Sequence, residues 1–310
     1  MLLPRSGLLR SLAAMTDRRT VPAGAHDPDT PGLATTRRTV RRPARFVQLL
    51  TAAHLGPTVA VTAIAGLLAV AFGLPVQRGV LVTLAVLTGQ LTIGWGNDLL
   101  DAARDRSVGR VDKPLATGEL PPVLVRRALV GAAIACVVLS LSVGWRSGGL
   151  HLLVAVAAGH LYNLGLKATV WSWLPYAVAF GALPAVVSLA DTPPQWPPLW
   201  MSGAAAGLGV AAHLLNALRD LEDDAATGVR GLPHRMGERW SRWAAAAILL
   251  LTTSVLVLGP AGAPASWSWL ALGVVVLLTA LTLLGRGGVP FLAAVAIALC
   301  NVALLVAATA

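Results

Sequence analysis

Charge is scarce in this chain. Only 12% of its 310 residues are Asp, Glu, Lys or Arg, against roughly a quarter in a soluble globular domain. Hydrophobic residues make up 56%, and the mean hydropathy is +0.71. A soluble fold of ordinary composition is thereby excluded. Cysteine is nearly absent too. Cys136 and Cys300 both sit inside apolar runs, so there is no disulfide framework and no thiolate metal pattern. The first 16 residues do not form a secretory signal, because Arg5 and Arg10 interrupt the apolar run.

What remains is a series of long apolar segments. A bilayer core about 30 Å thick takes roughly 20 apolar residues per helical span. Segments near 46–72, 79–97, 123–144, 149–166, 171–190, 198–216, 241–259, 267–285 and 288–309 meet that need. Their continuous apolarity favours helices over barrel strands, which alternate. The expectation is an all-α integral membrane protein, about nine transmembrane helices in a bundle around a central cavity, with loops capping the cytosolic side. Residues 1–44, rich in Arg, Thr, Pro and Asp without periodicity, read as a disordered basic cytosolic tail. Residues 45–310 read as the membrane domain.

The net charge of +10 suggests nucleic acid only until the charges are placed. With nine spans and a cytosolic amino terminus, all of the 24 Lys and Arg except Arg78 and Arg146 fall on one side. That is the positive-inside pattern. It places the chain in the cell (inner or plasma) membrane and gives no sign of a nucleic-acid partner.

Acidic residues number 14, and ten of them form two groups of five. Each group begins at the cytosolic end of an even-numbered span. The positive-inside rule does nothing to gather carboxylates there, and ionisable groups at a membrane helix end are functional candidates. The first group opens with Asn97-Asp98-Leu99-Leu100-Asp101-Ala102-Ala103-Arg104-Asp105. In a helix, Asp98, Asp101 and Asp105 share one face within two turns. Like charges so stacked need compensation, which ion pairs with Arg104, Arg106 and Arg110 or a hard divalent cation would supply. Mg²⁺ commonly joins one or two carboxylates to substrate phosphates.

The second group reads Asn216-Ala217-Leu218-Arg219-Asp220-Leu221-Glu222-Asp223-Asp224. Asp220 and Asp224 are i, i+4, with Asp223 beside them. The plan repeats the first: an Asn, carboxylates at helical spacing, an adjacent Arg, then a Gly-containing loop. Two facing carboxylate sets could each hold a metal, with a diphosphate bridging them.

The cations nearby fit an anionic ligand. Lys113 and Lys167 are the only lysines; Lys113 follows the first group, Lys167 ends the fourth span in Tyr162-Asn163-Leu164-Gly165-Leu166-Lys167, and Arg230 follows the second group in Gly228-Val229-Arg230-Gly231. Arg104 and Arg219 stand within the motifs. Tyr162, one of two Tyr, is placed either to bond a phosphate or to sit at headgroup level. Positive-inside anchoring is the plain alternative for the lysines. Trp95, one turn before Asp98, is assigned to packing rather than to a cation's π partner. His54, His151, His160 and His213 lie on separate spans without ligand spacing and read as packed or interfacial.

Asn97-Asp98-x-x-Asp101-x-x-x-Asp105, followed by Lys113-Pro114-Leu115 and Gly118, resembles the first motif and loop of the UbiA superfamily of intramembrane prenyltransferases. Asn216-x-Leu218-Arg219-Asp220-x-x-x-Asp224 with Gly228-x-Arg230 resembles its second motif, most like the menaquinone-type members. The resemblance implies Mg²⁺ held by Asn97, Asp98, Asp101, Asp220 and Asp224, with Asp105 in support. It implies a diphosphate bound by Arg104, Lys113, Lys167 and Arg230, and an aromatic or otherwise lipophilic acceptor. Two departures are visible: Leu232-Pro233 follows Gly231 directly, where many relatives have Thr before the Leu-Pro, and the Tyr162 to Lys167 spacing is one residue off the family's usual helical turn.

Such a reaction needs cations that pull on the diphosphate, a cavity shielded from water, and apolar walls for the chain. The sequence has candidates for all three and none for an acceptor pocket. The rival readings are a membrane terpene cyclase of the same fold, a CDP-alcohol phosphotransferase, and a non-enzymatic ion transporter. The phosphotransferase motif expects a Gly that is missing after Asp101. The transporter expects mid-membrane charges that these spans lack.

Overall fold

A computed structural model describes residues 44–308, except 220, 222–223, 225–227 and 286–288, with backbone alone at Arg219 and Phe291. The tail expected over 1–44 thus lies outside the described residues, Ala44 apart. The described chain is helical, without strands.

The first apolar run is broken. Helix α1 (Arg45–Ala52) and α2 (Leu55–Ala71) meet at 70°. The elbow holds His54 in the left-handed region, φ +53°. It rests on Gly94 of the next helix, where a Cβ would lie 2.4 Å from the Ala53 carbonyl oxygen. Only glycine permits that approach.

Helix α3 (Val76–Ser107) is 32 residues long and runs well past the apolar segment expected at 79–97. Helix α4 (Pro122–Val143) starts on a proline, whose fixed φ and missing N–H suit a first turn, and stops at Gly144. The next segment is continuous but irregular: α5 (Trp145–Leu150), a π-helical turn (His151–Val156) and α6 (Ala157–Leu164). A 3₁₀ turn, Leu166–Ala168, carries Lys167. Then follow α7 (Leu174–Ser188), α8 (Leu199–Arg219), α9 (Leu232–Leu258), α10 (Ser266–Leu284) and α11 (Val289–Ala307).

Every expected span coincides with helix, but the count of nine crossings is not reproduced by length and apolarity. Among the described residues five helices qualify, α3, α4, α8, α9 and α10, and the bent α1–α2 pair makes a sixth. Helix α7 and the apolar part of α11 are shorter. The outward surface is apolar as lipid requires, with Val70, Leu153, Leu199 and Leu284 among its exposed side chains.

Between helices the lipid supplies no hydrophobic drive, so close packing of small residues and hydrogen bonds must serve. Ala65, Ala204, Ala211, Ala245 and Ala294 are buried in the main core with Leu214, Leu249 and Ile297. Thr253 donates to Asn301 Oδ1 at 2.7 Å, and Asn301 donates to the Leu249 carbonyl at 3.0 Å. Arg78 donates to the carbonyls of Val143, which ends α4, and Ala190, just past α7, where helix dipoles favour a cation. A second, smaller core joins Ala52, Trp95, Leu115, Leu120 and Val125. It seats the α3–α4 loop against the end of α3.

Candidate active site

The carboxylates on α3 are buried at 1%, 7% and 4% exposure for Asp98, Asp101 and Asp105. Buried charges need partners. Lys113, on the α3–α4 loop, lies with its Nζ 2.6 Å from Asp98 Oδ1. His54 Nε2 is 2.8 Å from the same oxygen and 3.0 Å from Lys113 Nζ, closing a triangle. Asn97 Nδ2 is 3.3 Å from that imidazole nitrogen.

Asp101 is held by the other lysine. Lys167 Nζ donates to both of its oxygens, at 2.6 and 2.7 Å, and lies 3.5 Å from Asn97 Oδ1. Arg104 Nη2 bridges Asp101 at 3.0 Å and Asp105 at 3.4 Å. Both lysines of the chain therefore sit on adjacent carboxylates of one helix face, each delivered by a different loop. Arg110 grips Asp112 instead, at 2.8 Å, and holds that exposed carboxyl down at about 2.

Two buried polar atoms are left over here. Asp98 Oδ2 and Arg104 Nε have no hydrogen-bond partner among the described residues. An orphaned carboxylate oxygen is costly, and it is the kind of donor a hard cation takes. Among the described residues, however, no three carboxylate, imidazole or thiol groups converge on one point. The α3 face fits a cation that takes one or two carboxylates here and completes its shell elsewhere.

The second acidic stretch is partly in view. Asp220, Glu222 and Asp223 lie outside the described residues, as does the side chain of Arg219. Asp224 is half-buried, and its Oδ2 is 3.5 Å from His234 Nε2, a long contact. Arg230 is exposed, and among the described residues it shares none of the carboxylate contacts seen for Lys113.

Tyr162 stands between the two stretches. Its hydroxyl is close enough to Asp101 and Asp224 for both charges to act on it. Its ring is edge-on to Tyr176 at 5.2 Å and to His213 at 5.8 Å. The Tyr176 hydroxyl in turn reaches the side chain of Asn216, which opens the second motif. Ser172 Oγ is 3.0 Å from His213 Nε2 and accepts from the Leu232 backbone N–H at 2.9 Å. A Cβ on Gly231 would lie 2.6 Å from the Lys167 carbonyl oxygen. The loop after the second motif is thus packed directly on the residue that neutralises the first.

His54 is the residue that sequence reasoning missed. Its signal was faint: a lone ionisable side chain in an apolar run, without ligand spacing. Trp95 is as expected a packing residue, 7% exposed, with its indole N–H donating to the Leu49 carbonyl.

Comparison with known proteins comes to the same place. The model of the UbiA prenyltransferase family matches residues 59–309. The bacteriochlorophyll synthase 33 kDa chain of Rhodobacter capsulatus is 28% identical over 200 residues, covering 58% of this chain. That match spans 63% of the synthase's own length, less than two thirds. The apo structure of a UbiA homologue from Aeropyrum pernix K1 superposes with a TM-score of 0.64 at 17% identity, covering 80% of this chain and 96% of that one. A UbiA homologue from Archaeoglobus fulgidus, solved bound to GPP and Mg²⁺, gives 0.60 at 17%, covering 84% and 99%. The fold is shared with both.

Proposed function

Given that the chain belongs to the UbiA prenyltransferase family, we propose that it transfers a prenyl group from an isoprenoid diphosphate to an aromatic or quinone-precursor acceptor within the membrane. The observation that carries this reading is the pairing of the only two lysines with buried carboxylates on one helix face. Mg²⁺, held by Asn97, Asp98, Asp101, Asp220 and Asp224 with Asp105 and Asp223 in support, would withdraw charge from the diphosphate as the allylic C–O bond breaks.

The remaining work belongs to the chain. Lys113 and Lys167, which pair with Asp98 and Asp101 here, would turn their ammonium groups to phosphate oxygens once a cation took those carboxylates. Arg104, Arg219 and Arg230 add positive charge on the same side, and Tyr162 donates from beneath. These groups stabilise the leaving diphosphate as it gains charge. His54 orients Asp98 and Lys113 through the triangle they form. The apolar helices around Tyr176 exclude water from the allylic cation.

The same reading places the site on the cytosolic side of the cell membrane, with residues 1–44 as a cytosolic tail outside the 45–310 catalytic domain. The test uses purified protein in lipid nanodiscs with radiolabelled prenyl diphosphates, with and without Mg²⁺ and a panel of phenolic acceptors. Acceptor-dependent labelled product that needs Mg²⁺ supports transfer. A cyclised hydrocarbon formed without acceptor would make it a terpene cyclase, and no consumption of any donor would refute both.

A further inference from the structure

A cavity of about 30 Å³ lies inside the bundle, lined by Val61, Val86, Gln90, His151, Phe180 and Leu183 among others. Its position is set by a repeated spacing. His54 and Val61, Asn97 and Gln90, Tyr162 and Ala155, and Tyr176 and Leu183 are pairs seven residues apart on α2, α3, α6 with its preceding turn, and α7. On the regular helices α3 and α7, residues seven apart share a face; His54 stands at the elbow before α2 and Ala155 within the π-helical turn. In each pair one member belongs to the polar site and the other lines this cavity. The cavity therefore sits about two turns, or about 10 Å, below the level of Asn97 and Tyr176.

Its walls are aliphatic and aromatic, yet two polar groups face into it. His151 Nδ1 is 2.8 Å from Ser140 Oγ, while its Nε2 and the Gln90 amide make no hydrogen bond among the described residues. The volume has room for about two waters, which these groups would hold. His151 also opens the π-helical turn, a local widening that often marks a functional site.

Resting on the proposed function, we propose that Gln90 and His151 form a hydrated floor that limits the length of the donor's hydrocarbon chain. With the diphosphate on the carboxylates, a chain of about two isoprene units spans the roughly 10 Å from the level of Asn97 to the floor. A longer one must press methyl groups against an amide and an imidazole, which lose their water and gain no partner. Gly89 tunes the floor from behind, because a Cβ there would meet His151 Nε2 and Val156 Cγ2, each at 3.0 Å.

The experiment measures binding and turnover of dimethylallyl, geranyl and geranylgeranyl diphosphates by the full chain and its Gln90→Leu, His151→Leu and Gly89→Ala variants, with thermal unfolding to confirm folding. The wild type should prefer geranyl over geranylgeranyl by at least about tenfold in affinity. Gln90→Leu and His151→Leu should narrow that ratio. Gly89→Ala, whose Cβ would crowd His151 Nε2 and Val156 Cγ2 at 3.0 Å, should shift preference toward dimethylallyl. Length-dependent binding without turnover would uphold the floor and refute the proposed reaction. Equal affinities for all donors, no binding, or folded variants with unchanged ratios would overturn the floor.

Discussion

On α3 the acidic motif rides a helix that continues about three turns beyond Asn97, so its carboxylates are fixed on one face and can be buried. Helix α8 is described to Arg219, and Leu221 and Asp224 beyond it are also helical. Two motifs with the same order of residues differ in what the described residues place around them. The first is neutralised from outside its helix, by Lys113 and Lys167. The second is tied in through what surrounds it: Asn216 to Tyr176, Asp224 toward His234, and Gly231 against Lys167. The difference teaches that the α3 half is assembled before any ligand arrives. Its lysines occupy the carboxylates that a metal would claim.

If both halves hold one metal–diphosphate, removing a carboxylate from either should be equally damaging. Asp98→Ala and Asp220→Ala are each expected to lower turnover by at least about a thousandfold, about 4 kcal/mol of barrier, with thermal unfolding little changed. Near-normal turnover in one alone would assign the chemistry to the other half. A smaller effect is expected at the cations. Lys113→Gln and Arg230→Gln should insert normally but lose at least about tenfold, about 1.4 kcal/mol. Unchanged rates in nanodiscs would make these residues topological anchors instead.

Gly231→Ala probes the contact between the halves. Its Cβ would meet backbone at 2.6 Å, so the loop must shift. Overpacking of this kind costs about 1–3 kcal/mol, read as a lower unfolding temperature. An unchanged melting curve would show that the loop is not clamped on Lys167. The smallest effect belongs to the tail. A chain starting at Val40 should insert and turn over as the full chain does, and lost catalysis would reveal a role for residues before it.

The helices were legible because an apolar run of span length has few alternatives in a bilayer. The elbow at Ala53–His54 and the π turn at His151 were not, since both are set by contacts with α3 and its glycines rather than by local residues. Asp98, Asp101 and Asp105 declared a common face through their spacing. Lys113 and Lys167 stood out because the chain has no other lysine. What spacing could not show was the pairing itself, Lys113 with Asp98 and Lys167 with Asp101, because loops from different parts of the chain deliver the partners. His54 was hidden for the same reason.

The central claim, that both acidic motifs grip one metal–diphosphate, is tested most directly by counting Mn²⁺ bound to the protein in nanodiscs by electron paramagnetic resonance. The titration is run with and without a non-hydrolysable prenyl thiodiphosphate. Weak binding of Mn²⁺ alone, since lysines hold its carboxylates, and tight binding with the analogue are predicted. Asp98→Ala and Asp220→Ala should each abolish the analogue-dependent binding. Wild-type affinity in either variant would contradict the claim.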